Sequence, residues 1–341
     1  MTIRVGLAGL GGMGAVHFKA YRRIEGAEVV AVCDPEPKRL AGDWSGAVGN
    51  IDAMSGGQAD LSNVQRFADY AEFLASGVDL VDLTVPTHLH ADMAIRALEA
   101  GKHVFCEKPM ARTSAQAQEM VAAAEAGRRM LMVGHVLRFW PEYLAMKEIV
   151  DSGVYGPVRS AVLTRLSATP AWSWQNWMPD ATRSGSAALD LHIHDVDTVL
   201  WYFGKPLWVS SVGTVEAGGG VSHLVTQYYY DDGPAVVAEG GWDLPSTFPF
   251  QMAARIGFES AALDFDILKK PTLTVYTAEG QEQPPIPADD GYRDELAYFV
   301  ECVASGRKPS RVTPQDAAMA VALVEAEVES VRSGRPVEIN L

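Results

Sequence analysis

Three residues of this chain carry side chains that could move a proton, or steady a charge, at useful spacings: Lys108, Asp190 and His194. Lys108 stands between Glu107 and Pro109, directly after the short apolar run 102–106. A lysine at such a strand end can hydrogen-bond a substrate oxygen and steady the charge that develops on it. A solvated lysine in a turn is the alternative reading. Asp190 and His194 fall four positions apart in a stretch, 187–203, that predicts one helix stopped by Gly204. That spacing puts both on one face. A carboxylate beside an imidazole raises its basicity and fixes its orientation, so the histidine can take a hydroxyl proton. A buried structural pair, or a metal site, is the alternative. No further ligand pair stands nearby, so no metal is expected. His192, two positions away, points elsewhere.

These residues need something to act with, and the first fourteen residues suggest it. Residues 3–8 (IRVGLA) form a short apolar run of the kind expected for a buried parallel strand. It leads into Gly9-Leu10-Gly11-Gly12-Met13-Gly14, a G-x-G-x-x-G pattern, and then into a predicted helix over 13–24. A second strand, 28–33, ends on Asp34, twenty residues after Gly14. Strand, glycines, helix and acid in this register form a dinucleotide-binding fingerprint. Gly9 allows the tight turn, Gly11 lets backbone approach a pyrophosphate, and Gly14 lets helix and strand pack closely. The helix start attracts the phosphates. Asp34 can accept bonds from the ribose hydroxyls and would repel a 2′-phosphate, so the expected cofactor is NAD. Arg22, Arg23 and Arg39 keep NADP as the lesser alternative.

The elements that position these groups alternate. A helix is predicted within 61–75, a strand over 78–85, a helix from His88 to about Ala100, a strand over 102–106, a helix over 114–126 and a strand over 129–133. Such alternation means a doubly wound parallel sheet with helices on both faces. Ligands sit beyond the carboxyl ends of its strands. Gly9, Gly11, Gly12, Met13, Gly14, Asp34, Thr84, Pro86, His90 and Glu107 lie there and are the expected cofactor contacts. The glycine-rich stretch 41–57 has no period and predicts a surface excursion.

After residue 133 the pattern changes. A helix over 142–151 and a strand over 158–166 precede a loop bearing Trp172, Trp174 and Trp177, and several strands follow between 207 and 277. The expected second domain is an open, mainly antiparallel sheet. Its one face would be covered by the 187–203 helix, the other by a partner subunit. Two helices, 292–304 and 313–333, close the chain. The domains are accordingly expected at 1–133 and 134–341. His135, Arg138, Arg165, Trp174 and Trp177 are candidate substrate contacts, the tryptophans because aromatic faces stack on sugar rings. An interface or core cluster is the alternative for the tryptophans.

Bulk properties narrow the class. With 341 residues, 48% hydrophobic and 21% charged, the chain is an ordinary globular one of two domains. A net charge of −15 argues against nucleic acid and anionic membranes as partners. Three scattered cysteines suggest no disulfide framework and fit a reducing cytoplasm. A strand starting at Ile3 predicts no signal peptide, and no apolar run reaches membrane-spanning length.

Taken together, these residues resemble the Gfo/Idh/MocA family (glucose–fructose oxidoreductase, inositol dehydrogenase and relatives). The resemblance rests on GLGGMG at 9–14, CDP at 33–35, TVPTHLH at 84–90, GKHVFCEKP at 101–109, GHVLRFWPEY at 134–143, DLHIHD at 190–195 and GYRDELAYF at 291–299. It implies that Lys108 is the lysine of the E-K-P motif, that Asp190 and His194 are the D-x-x-x-H pair, and that Lys108–Pro109 is a cis bond. It also implies an open second-domain sheet through which dimers or tetramers form. The 41–57 stretch departs from the family in its length. The expected activity is NAD-dependent oxidation of a secondary hydroxyl of a cyclic polyol or sugar, inositol or sugar dehydrogenase-like. A redox-neutral enzyme that keeps its NAD, working by epimerisation or elimination through a ketone, uses the same residues. A nucleotide-binding sensor without turnover is the rival from another class.

Overall fold

Ile3–Ala8 forms β1, and Val5, Leu7 and Ala8 in it are almost fully buried. A strand covered on both faces requires such apolar continuity. In the computed structural model, residues 2–46 and 56–340 are described. After β1 come α1 (Gly12–Tyr21), β2 (Ala27–Cys33), α2 (Pro37–Leu40), β3 (Gln65–Phe67), α3 (Tyr70–Leu74) and β4 (Leu80–Leu83). Then follow α4 (His90–Glu99), β5 (His103–Glu107), α5 (Ser114–Gly127) and β6 (Leu131–Gly134). The six strands make one parallel sheet in the order β3-β2-β1-β4-β5-β6. This is the doubly wound dinucleotide-binding order, with its topological switch between β1 and β4.

One element of this sheet departs from the expected pattern. The helix expected within 61–75 is confined to its end, and an unexpected strand precedes it. Gln65–Phe67 pairs with Ala31–Cys33 as an edge strand, and the helix begins only at Tyr70. The Asp69 side chain, which accepts the Glu72 N–H at 2.9 Å, caps it there. The excursion after α2 is anchored where it is described. Trp44 is buried edge-on to Phe18 and donates its indole N–H to the Arg39 carbonyl. Residues 47–55 of that excursion lie outside the described residues.

The second set of elements comprises α6 (Pro141–Ser152), β7 (Val158–Ala168), α7 (Ala181–Ser184), α8 (Ser186–Asp190), α9 (Ile193–Phe203) and β8 (Trp208–Val215). It continues with β9 (Val221–Tyr229), β10 (Ala235–Leu244), β11 (Gln251–Phe258), β12 (Ala261–Asp266), β13 (Leu273–Thr277) and β14 (Gly280–Glu282). The chain closes with α10 (Gly291–Ser305), α11 (Pro314–Ser333) and β15 (Val337–Glu338). Nine strands form one sheet, β14-β13-β12-β11-β7-β10-β9-β8-β15, antiparallel except for β7 against β10. Its inner face, with Ala161, Leu163, Val236, Ala238, Ala254 and Ile256, is buried, and α8 and α9 pack on it. On the outer face Val162, Val212 and Tyr276 remain exposed.

The contacts divide the chain into two compact units. The first takes residues up to 136 together with 170–177 and 290–318. The second takes 137–169, 178–289 and 319–341. The sequence reading draws one boundary at residue 133; the contacts group the tryptophan loop and the α10 region with the first unit.

In the second unit, α9 is tied to the sheet by charge. Arg165 on β7 is 1% exposed and donates to both oxygens of Asp195, at 2.8 and 3.1 Å, and to the Tyr143 hydroxyl at 3.0 Å. Removing one partner of such a pair strands a buried charge. Arg165→Met is therefore expected to destabilise this unit by about 3–5 kcal/mol in urea unfolding followed by tryptophan fluorescence. The double variant Arg165→Met with Asp195→Leu should lose markedly less.

Candidate active site

The first element of the candidate site is backbone. Gly9 has φ +92°, and a Cβ on it would lie 2.6 Å from the Thr84 carbonyl oxygen. A Cβ on Gly14 would lie 2.1 Å from the Gly9 carbonyl oxygen. Both positions exclude any side chain. At Gly11 an added Cβ meets nothing within 4 Å, which leaves open space where a ligand can approach backbone. No side chain caps the start of α1, and no acidic residue occupies its first turn. Its leading N–H groups therefore present an anion site. Asp34 stands beside it, 2% exposed. Its Oδ2 accepts the Leu10 N–H at 2.7 Å and its Oδ1 accepts the Glu36 N–H at 2.9 Å. Arg39 adds a longer contact at 3.4 Å. A carboxylate has about four acceptor sites, so capacity remains for ribose hydroxyls. The open cradle at Gly11, the bare helix start and the fixed carboxylate fit a dinucleotide.

Several residues expected to touch the cofactor also brace this region. The Thr84 hydroxyl donates to the Gly9 carbonyl at 2.6 Å. His90 is buried, with its ring nitrogens 2.8 Å from the Pro109 carbonyl and 2.9 Å from the Val85 carbonyl. Burial pushes its pKa below the ordinary histidine value, against the pull of those two carbonyls. His90 thus joins the turn that holds Pro86 to the turn after β5. Gly12 and Met13, which open α1, and Pro86, just after β4, are half-buried.

Lys108 follows β5 in the same unit, half-buried, and Lys108–Pro109 is cis as the resemblance implies. Glu107 turns inward, 6% exposed. Its Oε2 accepts the backbone N–H of Lys108 at 3.0 Å and its Oε1 lies 3.1 Å from His17 Nε2. Burial pushes the Cys33 thiol, beside Asp34, up to about 12 and raises Cys106 as well, so neither offers a thiolate nucleophile.

Asp190 and His194 lie in the second unit. The single helix expected over 187–203 is broken: α8 ends at Asp190, and α9 starts at Ile193. Leu191 donates to the Ala187 carbonyl at 3.0 Å, as in a regular helix, and His192 donates to the same carbonyl at 2.8 Å, a wider π-type turn that interrupts the helix. Asp190 is 5% exposed and His194 is half-buried. His192 does point elsewhere, to Glu327 at 3.1 Å. The candidate substrate contacts are placed differently from one another. Arg138 is buried and bidentate to Asp197, at 3.0 and 2.7 Å, and Arg165 is held by Asp195. These pairs hold α9 in place. His135 is buried in the first unit, 1% exposed. Trp174 donates its indole N–H to Glu36 at 3.1 Å, with the Arg39 guanidinium 6.0 Å from its ring centroid. It therefore stands by the acid-bearing end of β2, the ribose end of a dinucleotide site. Trp177 is half-buried.

One group of polar residues escapes the sequence reading. His17 on α1, Asp82 on β4, Glu107 and Glu295 on α10 are buried together in the first unit. Among the described residues, His17, Glu107 and Glu295 are the set whose ligand-type atoms lie within 4.8 Å of one another. The signals available were an acid inside the apolar run VDLVDLTV and a histidine one turn after Gly14.

Comparison with known proteins agrees with this geometry. Residues 3–135 match the family described as "Oxidoreductase family, NAD-binding Rossmann fold", and residues 143–260 match the "GFO/IDH/MocA C-terminal domain". Inositol 2-dehydrogenase 3 of Saccharopolyspora erythraea is 30% identical, over 100% of this chain and 96% of its own. The scyllo-inositol 2-dehydrogenase (NAD(+)) of Bacillus subtilis is 27% identical, over 99% and 97%. Among solved structures, levoglucosan dehydrogenase in complex with NADH and levoglucosan superposes with TM-score 0.85 at 21% identity, all of both chains covered. An oxidoreductase domain protein from Kribbella flavida gives 0.82 at 24%, again over both full chains. At these identities the two structures speak to fold alone. With both halves matched and a relative of equal length at 30% identity, the chain belongs to the Gfo/Idh/MocA family of oxidoreductases.

Proposed function

We propose that this protein is an NAD-dependent dehydrogenase that oxidises a secondary hydroxyl of a cyclic polyol or sugar. One observation carries the reading. The Gly9–Gly14 loop, Asp34 and Lys108 follow β1, β2 and β5 of one parallel sheet, and the Leu10 N–H binds Asp34 at 2.7 Å to set loop and acid together. The names of the full-length relatives, inositol 2-dehydrogenases, support a cyclic polyol as substrate class.

When bound, NAD supplies the hydride acceptor. The chain's own residues do the rest. The amides at the start of α1 bind the pyrophosphate and Asp34 the ribose. Lys108 hydrogen-bonds the reacting oxygen and steadies its charge. His194, oriented by Asp190, takes the hydroxyl proton. Asp34 and Glu36, the latter held by Trp174, repel a 2′-phosphate more than Arg39 attracts it, which favours NAD over NADP. The first unit is read as the nucleotide domain and the second as the substrate domain.

The outer face of the nine-stranded sheet supports self-association as a homodimer or homotetramer. It sets Val212 beside Val225 and Val237 beside Val162 in register, with Val212 70% exposed. No helix of the described residues is long and apolar enough to cross a membrane. The three cysteines are buried and unpaired, which fits a reducing cytoplasm.

Purified protein with NAD and a panel of inositols, free sugars and glycosides should form NADH, read by absorbance, with one ring class. Lys108→Ala and His194→Ala should each lower kcat by about 100-fold or more. If NAD binds but no NADH forms with any member, nor NAD from NADH and keto-sugars, a redox-neutral enzyme or a sensor takes this reading's place. Gly14→Val should abolish NADH binding by fluorescence titration, because its side chain collides with the Gly9 carbonyl. Val212→Glu combined with Val162→Lys should lower the mass measured by sedimentation equilibrium; an unchanged mass would remove the sheet face as the interface.

A further inference from the structure

His17 is 0% exposed, yet both its ring nitrogens face carboxylates. Nδ1 lies 2.8 Å from Asp82 Oδ2 and Nε2 lies 3.1 Å from Glu107 Oε1. The Nδ1 contact is a hydrogen bond, whereas the Nε2 contact is an ion-pair approach without hydrogen-bond geometry; because a carboxylate can only accept, both contacts are favourable when each nitrogen carries a proton. Burial alone disfavours the imidazolium, but the charges and hydrogen bonds of Asp82 and Glu107 outweigh it and hold His17 well above the usual histidine value. The same pair acts in the other direction on Glu107. Its burial raises it, and His17 together with Lys108 brings it below the ordinary carboxyl value. Glu295 differs. Both of its oxygens are buried with no hydrogen-bond partner, and burial beside Glu107 raises it far above a normal carboxyl. It closes the cluster, with the buried Tyr21 hydroxyl near the same charges.

The cluster sits between two working parts. His17 belongs to α1, whose first turn is the phosphate site. Glu107 precedes Lys108 and accepts its backbone N–H at 3.0 Å. The Asp82–His17–Glu107 chain therefore runs from the middle of the sheet, through the cofactor helix, to the backbone of the lysine. We propose that His17 is a positioning residue: as a buried imidazolium between Asp82 and Glu107, it fixes the strand end that presents Lys108 in the frame of the cofactor helix. Without it, two buried carboxylates lose their common counter-charge, and Glu107 must take up a proton or turn away. Protonation weakens the bond that the Lys108 N–H donates to Glu107, and turning away releases it. Misplacement of a reacting group by about 1 Å can cost 100-fold in rate.

The proposal rests on the reading of Lys108 given above, so its test has one arm that needs no turnover. The full chain is labelled with 15N-histidine, and the His17 signals are assigned by their loss in His17→Gln. At about pH 8, above the ordinary histidine value, both ring nitrogens of His17 should still be protonated. Glu295→Gln, which mimics a neutral acid, should leave that signature in place, and Glu107→Gln should weaken it. In the kinetic arm, His17→Gln and Glu107→Gln should lower kcat on the order of 10-fold or more, with NADH affinity changed by less than about threefold. The pH at which the rate falls on the acid side should stay where it is in the parent, because His194 remains the base. A neutral His17 at that pH overturns the proposal. So does a stoichiometric divalent metal found by elemental analysis, which would make His17, Glu107 and Glu295 ligands. An unchanged kcat in both variants overturns it as well. Should the parent oxidise no polyol, the function reading fails on its own, and the NMR arm still decides the state of His17.

Discussion

The carbonyl oxygen of Gly9 occupies the place where a side chain at position 14 would be, 2.1 Å from an ideal Cβ. That close approach brings the start of α1 against the end of β1, and the rest of the nucleotide site is arranged around it. The Thr84 hydroxyl holds the Gly9 carbonyl, the Asp34 carboxylate holds the Leu10 N–H, and the Gly11 position is left open. A helix start without a capping side chain is a cost to a folded chain, because its N–H groups lack partners. Here that cost is what makes the site able to take an anion. Of the neighbours expected from sequence to contact the cofactor, Thr84 also holds the loop, and His90 and Glu107 also hold the turn after β5.

Buried charge does comparable work in both units. Arg165 with Asp195, and Arg138 with Asp197, fasten α9 at the point where the preceding helix is broken. His192, Glu327 and the Tyr228 hydroxyl form a third buried set, closed by 3.1 and 2.7 Å contacts. Such groups add little net stability over apolar residues of the same size, but each is costly to separate from its partner. They therefore specify position. In this chain the elements so fixed are those next to Asp190, His194 and Lys108, the residues proposed for the chemistry.

Periodicity and local chemistry were enough to determine much of the molecule. The glycine spacing, the acid after β2 and the alternation of strand and helix depend on contacts close in sequence, and they appear in the chain as a parallel sheet and a nucleotide loop. The second sheet was legible from its alternating strands and hairpin turns for the same reason. Elements whose state is set by distant neighbours were not legible. Gln65–Phe67 is a strand only because Ala31–Cys33 offers an edge to pair with. The break between α8 and α9 reflects a backbone bond from His192 to Ala187 that no side-chain pattern announces. Arg138 and Arg165 looked available for substrate because their acidic partners stand 59 and 30 residues away in sequence. His17 was invisible for a like reason: its two carboxylates arrive from β4 and β5. Sequence alone determined which residue types could do the chemistry. Tertiary structure decided which of those charges are already paired, because pairing depends on distance in space and not along the chain.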